Sequence, residues 1–545
     1  MNGLSSPTVD APPSAAIRDN FDRLTFLGWR WGLAAIVAGL ALSFLLFGYT
    51  VIYWRNADMD FMVIHSALAL NDGKPQHFFD HTAYITILST KLWFQFLHAL
   101  GLLDAWSLSA LPPASDPAAF DAAMTQAVRA GRILVFLIAI GSVLAFAFLV
   151  RLVPRDWRVA LMAANAFAFS GGIAVHSRIM RSELLAALPV IFALVILIIV
   201  GRRASIARLL AIAVAAALCM LGLENKVQAI LLIGALPIIM LPFGSAESQS
   251  VAFWRNTPTA WLATVMAAIA AGAAMWLASP LIATGFNSAL LDAAEFRPLL
   301  LGRYGSYQVT YVVMIAGCMI AYAAVWRVAA AETLASMFAV VAGASIALLV
   351  LDLDYDARNV IAVANPLEKM LIFADAGTRD AANAAGLSGI VMPLFDGIGS
   401  VLARYTFVLH SSPRPTVFLV WLIVPGIVIG WRRGERLAAI QALMLLLAAI
   451  GIDALGVRRG LKSEYFIFTD PLIILAGVIL LDRLCKLRFG KWTYGIGTSL
   501  LVLHLAIGQA DPVKYALKRT GPESICAWNK HYAPLLPLPW CPPRS

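Results

Sequence analysis

Apolar runs recur from one end of this chain to the other, near residues 33–52, 134–150, 159–175, 184–200, 209–223, 227–241, 261–283, 309–325, 334–351, 417–429, 437–452, 466–481 and 492–508. Runs of this length match about 30 Å of hydrocarbon crossed at 1.5 Å per helical residue, so the pattern predicts an all-α polytopic membrane protein of about thirteen spans. The first run is longer than the apolar core of a signal peptide and lacks a small-residue cleavage site, which predicts a retained span. Two of the polar intervals are long, 53–132 and 352–415. The expected organisation is an N-terminal segment 1–32, a membrane domain 33–509 carrying those two insertions, and a tail 510–545. Within the first insertion, 61–70 and 83–100 are patterned to lie flat in the headgroup layer, with Trp93, Phe94 and Phe96 facing lipid.

Composition agrees with that solvent. The chain of 545 residues is 61% hydrophobic and 13% charged, against roughly 25% charged in a soluble domain, and its mean hydropathy is +0.80. The net charge of +10, from 41 Lys and Arg against 31 Asp and Glu, raises nucleic acid, anionic lipid and topology as explanations. Distribution favours topology and no nucleic-acid partner. The cations sit in short loops, at Arg151, Arg155 and Arg158, at Arg202, Arg203 and Arg208, at Arg255 and Arg327, at Arg432, Arg433 and Arg436, and at Arg483, Lys486, Arg488 and Lys491. That is the positive-inside pattern for a cytoplasmic N-terminus. An odd number of spans then puts the tail outside, where Cys526 and Cys541 can pair in an oxidising compartment. Cys219 and Cys318 fall within spans and read as packing residues. Short cytoplasmic loops and an Ala-rich composition suit a bacterial inner membrane.

Four polar motifs fall on the outer side of this topology. The first, just beyond span one, is Trp54-Arg55-Asn56-Ala57-Asp58-Met59-Asp60-Phe61, followed by Gly73-Lys74-Pro75 and the cluster His77, Asp80 and His81. His176-Ser177-Arg178-Ile179-Met180-Arg181-Ser182-Glu183 lies between spans three and four, and Glu224-Asn225-Lys226-Val227-Gln228 between spans five and six. The fourth is Arg458-Arg459-Gly460-Leu461-Lys462-Ser463-Glu464-Tyr465, with Asp470-Pro471 after it. Each has a bland reading: an isolated juxtamembrane Asp caps a helix, a first-turn Glu such as Glu183 complements the helix dipole, and a lone Lys snorkels. His77 and His81 at i, i+4 spacing read as interface histidines before they read as metal ligands. Three cations on an outer loop, Arg458, Arg459 and Lys462, run against the charge bias and point to an anionic partner.

A first span followed by a juxtamembrane Asp, an amphipathic helix and a Gly near its end resembles the first outer loop of GT-C glycosyltransferases, of the aminoarabinose-transferase and protein O-mannosyltransferase type. Those relatives usually carry an Asp-Glu pair where this chain has Asp58-Met59-Asp60. The resemblance implies transfer of a sugar from a polyprenyl-phosphate donor to a lipid, glycan or protein acceptor at the outer membrane face. It makes Asp58 the base, Asp60 its reserve and Glu183 a catalytic acid, and it gives Arg178, Arg181, Lys226, Arg458, Arg459, Lys462 and His81 to substrate and lipid phosphate. Some members hold a divalent metal and others none, so a metal is left open. A single base implies inversion at the anomeric carbon. The rival expectations are a secondary transporter, for which no internal repeat is detected, and a non-catalytic scaffold of the same fold that binds a lipid.

Overall fold

The structure, a computed structural model, describes residues 15–56, 60–74, 83–154, 156–201, 207–244, 253–254, 257–284, 305–353, 366, 388–406, 416–456, 463–484 and isolated residues between 495 and 541. Among them every regular element is helical. In chain order these are α1 (Ala15–Phe44, continued as a π-helix Leu45–Tyr49), α2 (Met62–Asn71), α3 (Tyr84–Ala99), α4 (Pro117–Val150), α5 (Trp157–Ala168), α6 (Gly171–His176), α7 (Glu183–Gly201) and α8 (Ala207–Asn225). There follow α9 (Ala229–Met240), α10 (Thr257–Thr284), α11 (Gly305–Val325), α12 (Ala330–Leu348), α13 (Ser388–Thr406), α14 (Val417–Arg432), α15 (Arg436–Gly456) and α16 (Asp470–Leu484).

Among the described residues eight helices are long and apolar enough to cross a membrane: Leu27–Tyr49, Pro117–Val150, Glu183–Gly201, Ala207–Asn225, Pro258–Ala283, Gln308–Val325, Ala330–Leu353 and Arg436–Leu455. They expose side chains that water would not tolerate, including Trp31, Leu210, Trp276 and Ile320, each at least 68% exposed; a multi-pass helical membrane protein accounts for such a surface. Those eight match eight of the thirteen expected spans. Four of the others do not reach that length, for local reasons. The run 159–175 breaks after α5, where the Ser170 hydroxyl accepts the Ile173 N–H at 3.4 Å and starts α6 afresh. The run 227–241 yields the 12 residues of α9, about 18 Å long, and 417–429 the 16 of α14. The run 466–481 opens as a 3-10 turn, Ser463–Phe468, before the 15-residue α16. About half of 492–508 lies outside the described residues.

Cross-helix hydrogen bonds divide the bundle into two ends. At one, Asp156 N–H donates to Asp482 Oδ1, the Trp326 indole to Leu241 O, and the Gln441 amide to Pro242 O. Arg151, Arg158, Arg208, Arg327, Arg432 and Arg483 lie at helix termini on this arginine end. At the other, Ala83 N–H donates to Asn225 O, Tyr84 OH to Val350 O, and Thr416 Oγ1 to Asp470 Oδ1. Both long insertions start here, so we call it the loop end.

The first insertion differs from its sequence pattern in two respects, the burial of α2 and that of Phe94, which the pattern turns toward lipid. Residues Met62 to Ala69 of α2 are all buried, so α2 is an internal helix and does not lie half in lipid. It packs with α3, the start of α4 and the C-terminal tail around Phe61, Phe94, Phe120 and Leu536. Helix α3 keeps its two faces: Phe96 is exposed, whereas Phe94 is buried and the Trp93 indole donates to Ala130 O. Cys526 and Cys541 are disulfide-bonded, and Trp540 beside them packs on Tyr53, Trp54 and Phe120. The tail is thereby tied to the loop end. Part of the second insertion is helical, α13, and it packs on α15.

Candidate functional site

Two buried charge clusters occupy the loop end. In the first, Asp60 Oδ2 accepts from Arg132 Nε and Nη2 at 3.0 and 2.7 Å, while Oδ1 accepts the Met180 N–H at 2.8 Å. Arg132 Nη1 donates in addition to Gly48 O and Val51 O at the end of the first span. Both side chains have no exposed surface. Helix α4, 34 residues and about 51 Å long, carries Arg132 just where its apolar run begins. The Arg132–Asp60 pair therefore joins the exit of α1, helix α4 and, through Asp60, the turn before α7. With both carboxylate oxygens engaged, Asp60 is a clamp.

The second cluster centres on Glu183, the first residue of α7 and fully buried. Arg181 Nε donates to its Oε2 at 3.2 Å and Nη2 to its Oε1 at 3.1 Å, and the Lys226 ammonium donates to Oε1 as well. His176 places Nε2 3.6 Å from Oε2 while its Nδ1 stands 2.7 Å from Gly172 O. Arg181 Nη2 also lies 3.4 Å from Glu464, and Lys226 stands 5.7 Å above the Tyr465 ring. Burial disfavours the Arg181 charge, but the carboxylates of Glu183 and Glu464 outweigh it and raise the guanidinium's pKa. Lys226 is 1% exposed, so it does not snorkel; its charge is matched inside the protein.

Small residues bring these elements into contact. A Cβ on Gly172 would sit 2.8 Å from the backbone of Ile467, and one on Gly222 would sit 2.5 Å from Ala186 O. The first approach holds α6, with His176, against the turn that carries Glu464 and Tyr465; the second holds the Lys226 end of α8 against α7. Asn225 fixes the same corner, donating to Ser182 O and accepting from Thr86 N–H and Oγ1.

The expected site residues thus divide. Residues of all four motifs meet at this end: Asp60, the 176–183 segment, Lys226 and the Glu464-Tyr465 pair. Arg178 lies between the clusters and the first span, donating to Ser43 Oγ and standing 5.8 Å from the Phe47 ring. Asp58, His77, Asp80, His81, Arg458, Arg459 and Lys462 lie outside the described residues. Sequence reasoning assigned no role to Arg132, His176, Glu224 or Glu464. Arg132 left one signal, an isolated cation at the lip of an apolar run; the others stood inside the quoted motifs without a reason to choose them. Glu224 is fully buried, and both its oxygens lack a hydrogen-bond partner among the described residues.

Among the described residues no three His, Cys, Asp or Glu side chains converge as metal ligands. Around Glu183 the donor set does not fit a divalent ion, since two fixed cations already hold its carboxylate and would repel a third. Comparison with protein-family models, curated proteins and solved structures returned no match.

Proposed function

We propose that the protein transfers a sugar from a polyprenyl-phosphate donor to an acceptor at the outer face of the membrane, by the GT-C type of chemistry. The observation that carries this reading is the convergence of four separated motifs on one buried corner of the loop end, tied by Asp60 to Met180 and by Glu183 to Arg181 and Lys226. Such charges are costly to bury and serve well where a charged substrate must be oriented. Asp58 is the base. It stands two residues before Asp60 in the chain. Lys462 stands equally near Glu464 along the chain, and with Arg458 and Arg459 it supplies cations for the phosphate that leaves.

A polyprenyl phosphate is already a competent leaving group, so the enzyme needs a base for the acceptor hydroxyl and donors for the developing phosphate charge. The acceptor oxygen attacks the anomeric carbon, its proton goes to Asp58, and the carbon–oxygen bond to phosphate breaks with inversion. Two features support the loop end as the outer face: arginines gather at the opposite end, and the disulfide at this end belongs to an oxidising compartment.

The test uses the full-length purified chain in liposomes, with labelled polyprenyl-phosphate hexoses and pentoses and a total membrane lipid extract as acceptor. Transfer of label that Asp58→Asn abolishes supports the reading. Intact donor, together with movement of a solute across the bilayer, would replace it with a transporter.

A further inference from the structure

Away from the charge clusters, a cavity of about 440 Å³ runs between α7, α8, α9, α11 and α12. Its lining is almost wholly apolar and extends along α8 from Arg208 to Leu223. The fifteen rises between those two residues span about 22 Å of helix, the scale of one extended acyl chain. At about 1.25 Å of advance per carbon, from 1.52 Å bonds at tetrahedral angles, that length holds about 17 carbons. An apolar space of this kind gives water no partners.

Polarity is confined to the arginine end of the cavity. Arg208 donates to Glu332 Oε1 and to Tyr322 OH, each at 3.0 Å, and Thr333 and Ser336 line the same region. The cavity also has a way in from the side. Helix α11 packs on α9 and α12 on α8, and Val340, a lining residue, is 40% exposed on the lipid-facing surface.

We propose that this cavity is a binding site for one acyl chain of a membrane lipid, whose ester region meets Arg208, Tyr322 and Ser336 at the arginine end. The apolar length runs about 17 carbons from a polar anchor, which matches one acyl chain of a membrane lipid. The Arg208–Glu332 pair is neutral as a unit, so it takes an ester carbonyl or a zwitterionic headgroup without selecting for net charge. The polar anchor stands at the opposite end from Glu183 and Lys226, so this lipid is separate from any donor bound there.

The experiment is photolabelling of the purified full-length chain with a sixteen-carbon fatty acid bearing a terminal diazirine, and in parallel with a geranylgeranyl diazirine probe. Peptides are then mapped by mass spectrometry. The fatty-acid probe should mark the lining of α8, α9 and α12, and Ala216→Trp, which fills the bore, should cut that labelling at least tenfold with Tm maintained. Val340→Trp, on the rim, gives the same reading should Ala216→Trp lower Tm. Labelling confined to the outer lipid-facing surface, labelling undiminished in a folded Trp variant, or preferential capture of the geranylgeranyl probe would overturn the assignment.

Discussion

On the proposed chemistry the two acids of the Asp58-Met59-Asp60 motif have separable roles. Asp60 is locked by Arg132 and the Met180 N–H, and removing one partner of a buried pair costs about 3–5 kcal/mol. Asp60→Asn and Arg132→Gln should therefore each lower Tm in detergent by several degrees, with less protein in the membrane. Asp58→Asn should leave Tm at the wild-type value and abolish sugar transfer. Equal Tm losses in all three variants would contradict this division. Glu183→Gln leaves Arg181 and Lys226 buried without their carboxylate, so it too should destabilise by about 3–5 kcal/mol, read as a shift in the thermal unfolding midpoint. The sequence carried the polar motifs themselves but not this division. Nothing in the spacing of Asp58 and Asp60 says which one meets Arg132, seventy-two residues on from Asp60, because that pairing is made by the path of α4.

At the level of elements, close contacts between helices set the site's geometry. Gly172→Ala puts a methyl group against the Ile467 backbone, which cannot swing aside as a side chain would, so α6 and the Ser463–Phe468 turn must separate. Overpacking of this kind costs about 1–3 kcal/mol. A lower Tm and weaker transfer are expected together, measured on the purified variant. The turn after α2 adds a pH dependence. Partial burial raises the Asp72 pKa, but hydrogen bonds from Ser109, from Ser107 and the Lys74 charge outweigh it and leave the carboxyl below its ordinary range. A depressed folded value means that this stabilisation is present above the unfolded-state pKa and lost as pH falls through the folded one. Tm should fall on acidification through that window, and Asp72→Asn should remove that part of the slope. Long helices such as α4, α10 and α12 were legible from apolar runs alone. The break between α5 and α6 was not, since it depends on the Ser170 cap, and α2 reads as amphipathic until the C-terminal tail is seen to cover it.

For the whole molecule, alternation of helix ends places every described motif residue at the loop end and the described short-loop arginines at the other. Reporter fusions test that polarity. An alkaline phosphatase joined after Asp116 should be active and one joined after Gly434 inactive, with a cytoplasmic reporter giving the reverse; the opposite pattern would move the site to the cytoplasmic side. Membrane class and helical architecture followed from composition and apolar periodicity, because lipid imposes those on any chain that spans it. Chemistry did not follow in the same way, since a fold can host an active or a silent site. The most direct measurement is mass spectrometry of envelope glycolipids and glycans from cells with the wild-type gene, a deletion and Asp58→Asn, with membrane protein level checked in each. One hexose- or pentose-sized increment is expected in the wild type and should be missing from the deletion strain and, at equal protein level, from Asp58→Asn. An unchanged glycan and glycolipid profile in the deletion strain would contradict it.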